Sequence, residues 1–280
     1  NFLVDKLSQY SSRGDGWVFE CKSSIEANDD PELVHIIEVN KGIALIFNST
    51  REISFKEEIP SSAIISDYKR DYSENGKYYY IKKINRRCHD VVFFTRVTGL
   101  IEFRIDNNHE FSVQERVKAF NKLQMAFSTF CENKLKFQIV DLFPAVSSLY
   151  KMPVGYGRVV ELSFTTDEGE IKRNKNRLAK DGCILNEEFH KGGCECINDE
   201  LTPFKIARVW PFKGSFYNSE PELMLPGTLW MASLTGVDKK ILKEFVVTKS
   251  VGCNDYDMIF DKLCEALNIK RGYDEYSEVT

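Results

Sequence analysis

The sequence predicts an α+β protein, mainly antiparallel sheets in two lobes, each closed by an amphipathic helix. Three observations predict it. Asn75-Gly76 lies between runs rich in Tyr and Ile, and Asn-Gly supplies the two positive-φ positions of a type I′ hairpin turn. Ser112 and Glu115 form a capping box ahead of apolar residues at helical spacing. The same order, strands and then one amphipathic helix, returns in the second half of the chain.

The first lobe, 1–150, begins with a short strand at 17–22 and a polar loop through Asn28-Asp29-Asp30-Pro31. Residues 34–39 and 43–47 read as a hairpin around Asn40-Lys41-Gly42. The Asn-Gly turn then joins an incoming strand at 63–72 to an outgoing one at 78–85, and 91–97 with 100–105 continue the meander across Thr98-Gly99. The helix spans 112–132, with Val113, Val117, Phe120, Ala126 or Phe127, and Phe130 as its apolar stripe.

Pro153, Gly155 and Gly157 interrupt the pattern and set the boundary of the second lobe, 151–280. The second half holds strands at 137–141, 158–164, 204–210, 229–234 and 245–249. Asp167-Glu168-Gly169 turns the second of these back into Glu170 onward. A final helix, 254–268, starts at Asn254 with Asp257 in its first turn and carries Tyr256, Ile259, Phe260, Leu263 and Leu267 on one face. The residues after Arg271 are polar.

Bulk properties narrow the function. Hydrophobic residues make up 42% and aromatics 12%, enough for real cores, so wholesale disorder is excluded. The net charge of −4 excludes polyanion binding by bulk charge, so any nucleic-acid contact needs a local basic surface. No run approaches the roughly 18 uncharged apolar residues of a membrane span. Asp5 and Lys6 interrupt the opening apolar residues, so no signal peptide is read there and a cytoplasmic location is expected. The eight cysteines are scattered and read mostly as small buried hydrophobes. Frequent Lys, Asn, Ser, Tyr and Phe with scarce Ala point to an AT-rich bacterial or viral gene.

Three constellations carry chemistry. Cys183, His190, Cys194 and Cys196 fall within fourteen residues, and three thiolates with one imidazole suit a tetrahedral Zn²⁺. The spacing C-x6-H-x3-C-x-C is not a standard zinc pattern, and the plain alternative is a buried Cys183 followed by a solvated Gly192-Gly193 loop. Two basic runs form the second constellation: Lys172, Arg173, Lys175, Arg177 and Lys180, and Tyr78-Tyr79-Tyr80-Ile81 followed by Lys82, Lys83, Arg86 and Arg87. Cations for phosphates beside aromatic faces for bases suit flexible nucleic acid, while ordinary cross-strand packing and solvated charge explain the same residues without a ligand. The third is Glu20-Cys21-Lys22, the Glu-x-Lys of metal-dependent nucleases, with Asp15 too close for the usual intervening hairpin. Glu170-Ile171-Lys172 repeats the tripeptide after Asp167, again too close. A phosphate-binding lysine loop, a dinucleotide glycine fingerprint, a nucleophile elbow and an HExxH pair are all absent.

The leading expectation is a cytoplasmic, non-catalytic binding protein that contacts nucleic acid through Tyr78, Tyr80, Lys82, Lys83, Arg86, Arg87, Lys172, Arg173, Lys175 and Arg177. Composition and the lack of metabolic motifs place it in an accessory role, such as bacterial antiviral defence or a mobile element. One alternative is a protein-interaction module of a larger complex, marked by an exposed apolar patch around Trp210, Phe212, Phe216 and Tyr217. Another is a Mg²⁺-dependent nuclease with a degenerate site, Glu20 and Lys22 joined by Glu38 or Glu102. Apart from Zn²⁺ no cofactor is evident, and no membrane partner is expected.

Overall fold

A computed structural model describes residues 29–39, 41–60, 78–95, 99–106, 111–166, 169–176, 181–196, 201–234 and 239–269. The fold is α+β with antiparallel sheets, and the chain divides into two compact units between Lys136 and Phe137. The division precedes the boundary expected at 150/151. A helix at Pro144–Lys151 buries Ala145, Val146 and Leu149 in the second unit's core, so the residues ahead of the Pro/Gly stretch belong to that unit.

The first unit is a meander of β1 (Glu32–Val39), β2 (Gly42–Ile59), β3 (Tyr78–Thr95) and β4 (Ile101–Arg104), hydrogen-bonded in that order. The hairpin expected around Lys41 is present, with Val39 opposite Gly42. Only glycine fits there, because a Cβ at Gly42 would lie 2.1 Å from the Phe94 carbonyl oxygen. The next pairing extends beyond the sequence reading. The strand expected at 63–72 lies outside the described residues, and β3 pairs along its whole length with β2, from Gly42↔Thr95 to Ile59↔Tyr78. The expected break between 85 and 91 is also absent. Cys88 and Asp90 are buried while Arg87 and His89 are exposed, so the two-residue period carries one strand through that stretch.

Helix α1 (Val113–Phe130) starts where the capping box places it: Ser112 Oγ accepts from the Glu115 N–H at 3.2 Å, and the Glu115 carboxylate accepts from the Ser112 N–H at 2.6 Å. Its inner face keeps the later part of the expected stripe, with Phe127 buried and Ala126 and Phe130 packed against the core, and departs from it at the start. Ala119, Leu123 and Phe127 are buried, whereas Val113 and Val117 are 61% and 48% exposed. Small Ala119 lets the helix approach the sheet, and Phe103 of β4 meets Phe120 and Phe127 edge-on at 5.6 Å. These side chains close on Ile43, Leu45, Phe47 and Val92, each large one contributing about 1.5–3 kcal/mol on burial. Ser112→Ala should therefore cost about 1 kcal/mol, read as a lowered urea midpoint of the full chain. An unchanged midpoint would show that solvent replaces the cap.

The second unit contains, in chain order, helix α2 (Pro144–Lys151), β5 (Arg158–Thr165), β6 (Ile171–Lys175), helix α3 (Glu188–Cys196), β7 (Thr202–Val209), β8 (Phe212–Lys213), β9 (Asn218–Ser219), β10 (Glu222–Leu225), the short helix α4 (Leu229–Ser233), β11 (Val246–Thr248) and helix α5 (Cys253–Ala266). Five strands form one antiparallel sheet in the order β11-β10-β7-β5-β6, and β8 pairs with β9 separately. Leu162, Ile206, Leu223 and Leu225 from the sheet meet Val146 and Leu149 of α2 and Ile259 and Leu263 of α5.

Several expectations are corrected. Residues 137–141 are not a strand: Asp141 instead accepts from the N–H groups of Phe143 and Leu242 at 3.0 and 3.1 Å, which pins the segment as a loop. The strand expected at 229–234 is instead helix α4, Leu229–Ser233, where the Ser233 hydroxyl donates back to the Leu229 carbonyl at 2.9 Å. Two further helices, α2 and α3, take segments read as a strand-to-boundary passage and a glycine loop. Helix α5 begins one residue before Asn254, and Asp255, not Asp257, serves its first turn. Among the described residues no helix is long and apolar enough to cross a membrane.

Candidate functional site

The basic run of the first unit lies on a ribbon. β1 pairs with residues 42–48 of β2, and β4 with residues 91–94 of β3. Among the described residues, β2 and β3 continue past both neighbours as two strands, paired out to Ile59↔Tyr78. Residues 81–87 are all exposed, as are Tyr79 and Tyr80 at 41% and 53%. Alternation puts Tyr80, Lys82, Ile84 and Arg86 on one face and Tyr79, Ile81, Lys83 and Arg87 on the other. Between 51–59 and 78–87 the sequence carries six cations against three carboxylates, a local excess of positive charge in a chain of net −4. Lys56 sits 3.8 Å over the Tyr79 ring, and Lys83 pairs with Glu52 at 2.8 Å. Sequence reading missed Lys56 and Arg51 because it ended the second strand at Phe47.

The ribbon's base is held by a buried ion pair. Arg51 is paired with Asp90 and also donates to the Asp106 carbonyl at 2.8 Å, while the Asp106 N–H donates to Asp90 at 2.9 Å. Burial pushes the Asp90 carboxyl above its ordinary value, and the Arg51 guanidinium opposes that shift. Ile53, Cys88 and Phe111 pack beside the pair. These groups orient the ribbon, and their mutual pairing accounts for them structurally.

The second basic run is an edge. Among the described residues β6 is the outermost strand of its sheet, with Lys172, Arg173 and Lys175 exposed. Lys172 pairs with Glu170 at 2.5 Å. Lys175 reaches buried Glu161 at 3.4 Å, which also holds Lys205 at 2.6 Å. Charged side chains on an edge strand keep other strands from adding to it, and that role explains them. Arg177 lies outside the described residues.

The cysteine–histidine segment is partly brought together. His190 and Cys194 lie one turn apart on α3, with Cys194 Sγ 3.7 Å from His190 Nε2. Tyr150 of α2 adds its hydroxyl, 3.4 Å from that nitrogen and 3.9 Å from the sulfur. Cys183, by contrast, is buried with its sulfur accepting from the Val159 N–H at 3.4 Å, and Cys196 is exposed at the helix end. Among the described residues no three His, Cys, Asp or Glu side chains gather as a metal ion requires, so the expected four-ligand Zn²⁺ set is not assembled. Burial lowers the His190 imidazole, opposed by Glu187, and burial beside Cys194 pushes the Tyr150 phenol up to about 12. Tyr150 had no sequence signal, being forty positions from His190 in a helix that spacing did not mark.

Glu20 and Lys22, with Asp15, lie outside the described residues. Glu38 is exposed on β1, and Glu102 is buried on β4, accepting from Arg104 Nε at 3.1 Å. The apolar patch expected around Trp210 does not form. Trp210 is buried against Gly157, whose φ of +140° and lack of a Cβ leave room for the indole; Phe212 and Tyr217 are half-buried, and Phe216 alone of the four is fully exposed. The longer exposed apolar row is on α1, where Val113, Val117 and Met125 face outward.

No known protein family, curated protein or solved structure matches the chain.

Proposed function

We propose that the chain is a nucleic-acid-binding protein whose contact element is the β2–β3 ribbon. One observation carries this reading: the ribbon exposes tyrosine rings and four cations, Lys82, Lys83, Arg86 and Arg87, on both of its faces. A two-stranded ribbon fits the major groove of a duplex, and alternating rings and cations suit unpaired bases and their phosphates. The β6 cations are secondary contacts at most, since carboxylates hold two of the three. The accessory setting, antiviral defence or a mobile element, rests on composition.

Fluorescence anisotropy with duplex DNA, single-stranded DNA and single-stranded RNA, repeated over a range of salt, tests it. Affinity should fall linearly with log salt, and replacing Lys82, Lys83, Arg86 and Arg87 by Gln should flatten the slope by about one unit per cation in phosphate contact. Lys172→Gln with Arg173→Gln should change it little. If the fourfold variant binds like the unmodified chain, the ribbon is not the interface. Absence of binding to all three, with salt-insensitive co-purification of a protein that Val117→Asp abolishes, would move the interface to α1.

A further inference from the structure

We propose that Tyr150, His190 and Cys194 form a three-donor site for one thiophilic divalent cation of the Zn²⁺ type, with its fourth position open to solvent. Two strong ligands come from one helix. His190 and Cys194 stand at i and i+4 of α3, the spacing that puts two side chains on one face, and their donor atoms are 3.7 Å apart. Zinc–sulfur and zinc–nitrogen bonds of about 2.3 and 2.0 Å at the tetrahedral angle set a sulfur–nitrogen span of about 3.5 Å. Tyr150 Oη completes a triangle with edges of 3.4 and 3.9 Å, the first near an edge of the same tetrahedron and the second about 0.4 Å longer.

Direct hydrogen bonding accounts for this triangle less well. The Tyr150–His190 separation of 3.4 Å is longer than the usual range of about 2.7–3.2 Å between nitrogen and oxygen, so neither polar atom has a strong partner in the other. An ion at the centre of the open face would satisfy all three donors at once. The surroundings suit it. The imidazole is buried, with the rings of Phe164 and Tyr150 edge-on at 5.9 and 6.2 Å, and such an apolar shell strengthens ligand–metal attraction. Cys194 is partly exposed, which leaves the sulfur open to an incoming ion. Cys183 and Cys196 take no role.

The test is a Co²⁺ titration of the reduced full chain carrying Cys196→Ser and Cys253→Ser, which removes two exposed thiols. One Co²⁺ per chain should bind with a sulfur-to-metal charge-transfer band and the intense visible bands of tetrahedral cobalt, and Zn²⁺ should displace it. Cys194→Ser should abolish the charge-transfer band, while His190→Gln and Tyr150→Phe should each weaken binding more than about tenfold. Circular dichroism checks that each variant is folded, and the parent titration stands without them. No band at one equivalent in the folded parent overturns the site. So does a band that survives Cys194→Ser.

Discussion

Replacing Arg208 by methionine should destabilise the second unit by about 3–5 kcal/mol, although the side-chain volume is nearly kept. Arg208 is fully buried on β7, and its guanidinium donates to backbone carbonyls: Leu149 at 2.5 Å, Pro153 at 2.5 Å, Met152 at 3.4 Å and Gly157 at 3.1 Å. Those oxygens end α2 and the turn after it, where the helix leaves its last carbonyls without internal partners and its dipole favours a cation. Methionine would leave the Leu149, Met152 and Gly157 carbonyls without these donors, while the Pro153 carbonyl keeps the Tyr156 N–H. Arg208→Lys should recover less than half of the loss, because one ammonium cannot fan donors across four acceptors. Urea unfolding with hydrogen exchange of residues 144–157 measures both. A loss under about 1 kcal/mol for Arg208→Met would show that water reaches these carbonyls.

The second large effect belongs to Asp255. The residue is fully buried at the start of α5, and its carboxylate accepts from the N–H groups of Val251, Gly252 and Tyr256 at 2.8, 3.0 and 2.9 Å and from the hydroxyls of Ser219 and Ser250 at 2.7 and 2.8 Å. Burial alone would raise its pKa, but the donors, led by Val251, outweigh it and hold the carboxyl at about 2 against an ordinary 3.8. A lowered folded-state pKa adds stability that is complete above the unfolded value and is lost as pH falls through the folded one. The chain should therefore lose about 2 kcal/mol between roughly pH 5 and pH 2 through this group. Asp255→Asn should cost a similar amount at pH 7 and remove that share of the acid dependence. Equal acid slopes in the two proteins, measured by urea midpoints at several pH values, would contradict the assignment.

Where the signal was a local cap or turn, sequence reading and structure largely agree. The Ser112–Glu115 box, the β1–β2 hairpin closing at Gly42, the antiparallel β5–β6 pairing and the last helix, expected from Asn254 and found from Cys253, each depend on residues within a few positions of one another. Apolar alternation and caps act at that range, so the α+β class and its antiparallel sheets result from them. The α1 stripe holds from Phe120 onward and fails at its start, where Val113 and Val117 are exposed and Ala119 and Leu123, also at helical spacing with Phe127, take the inner face.

What only the tertiary structure decided lies at long range. The partner of β3 along its ribbon is β2, so Arg51 and Lys56 join cations of a strand more than twenty residues away. Tyr150 meets His190 and Cys194 because α2 and α3 pack in the same unit, and Cys183 drops out because the Val159 N–H engages its sulfur. Arg208 was not singled out in the sequence reading, yet it is fully buried on β7, where four helix-end and turn carbonyls converge on it. By itself the sequence determined the α+β class, its antiparallel hairpins and the capped helix starts. Packing determined which of their polar residues meet, because hydrogen bonds and ion pairs form between neighbours in space, whatever their separation along the chain.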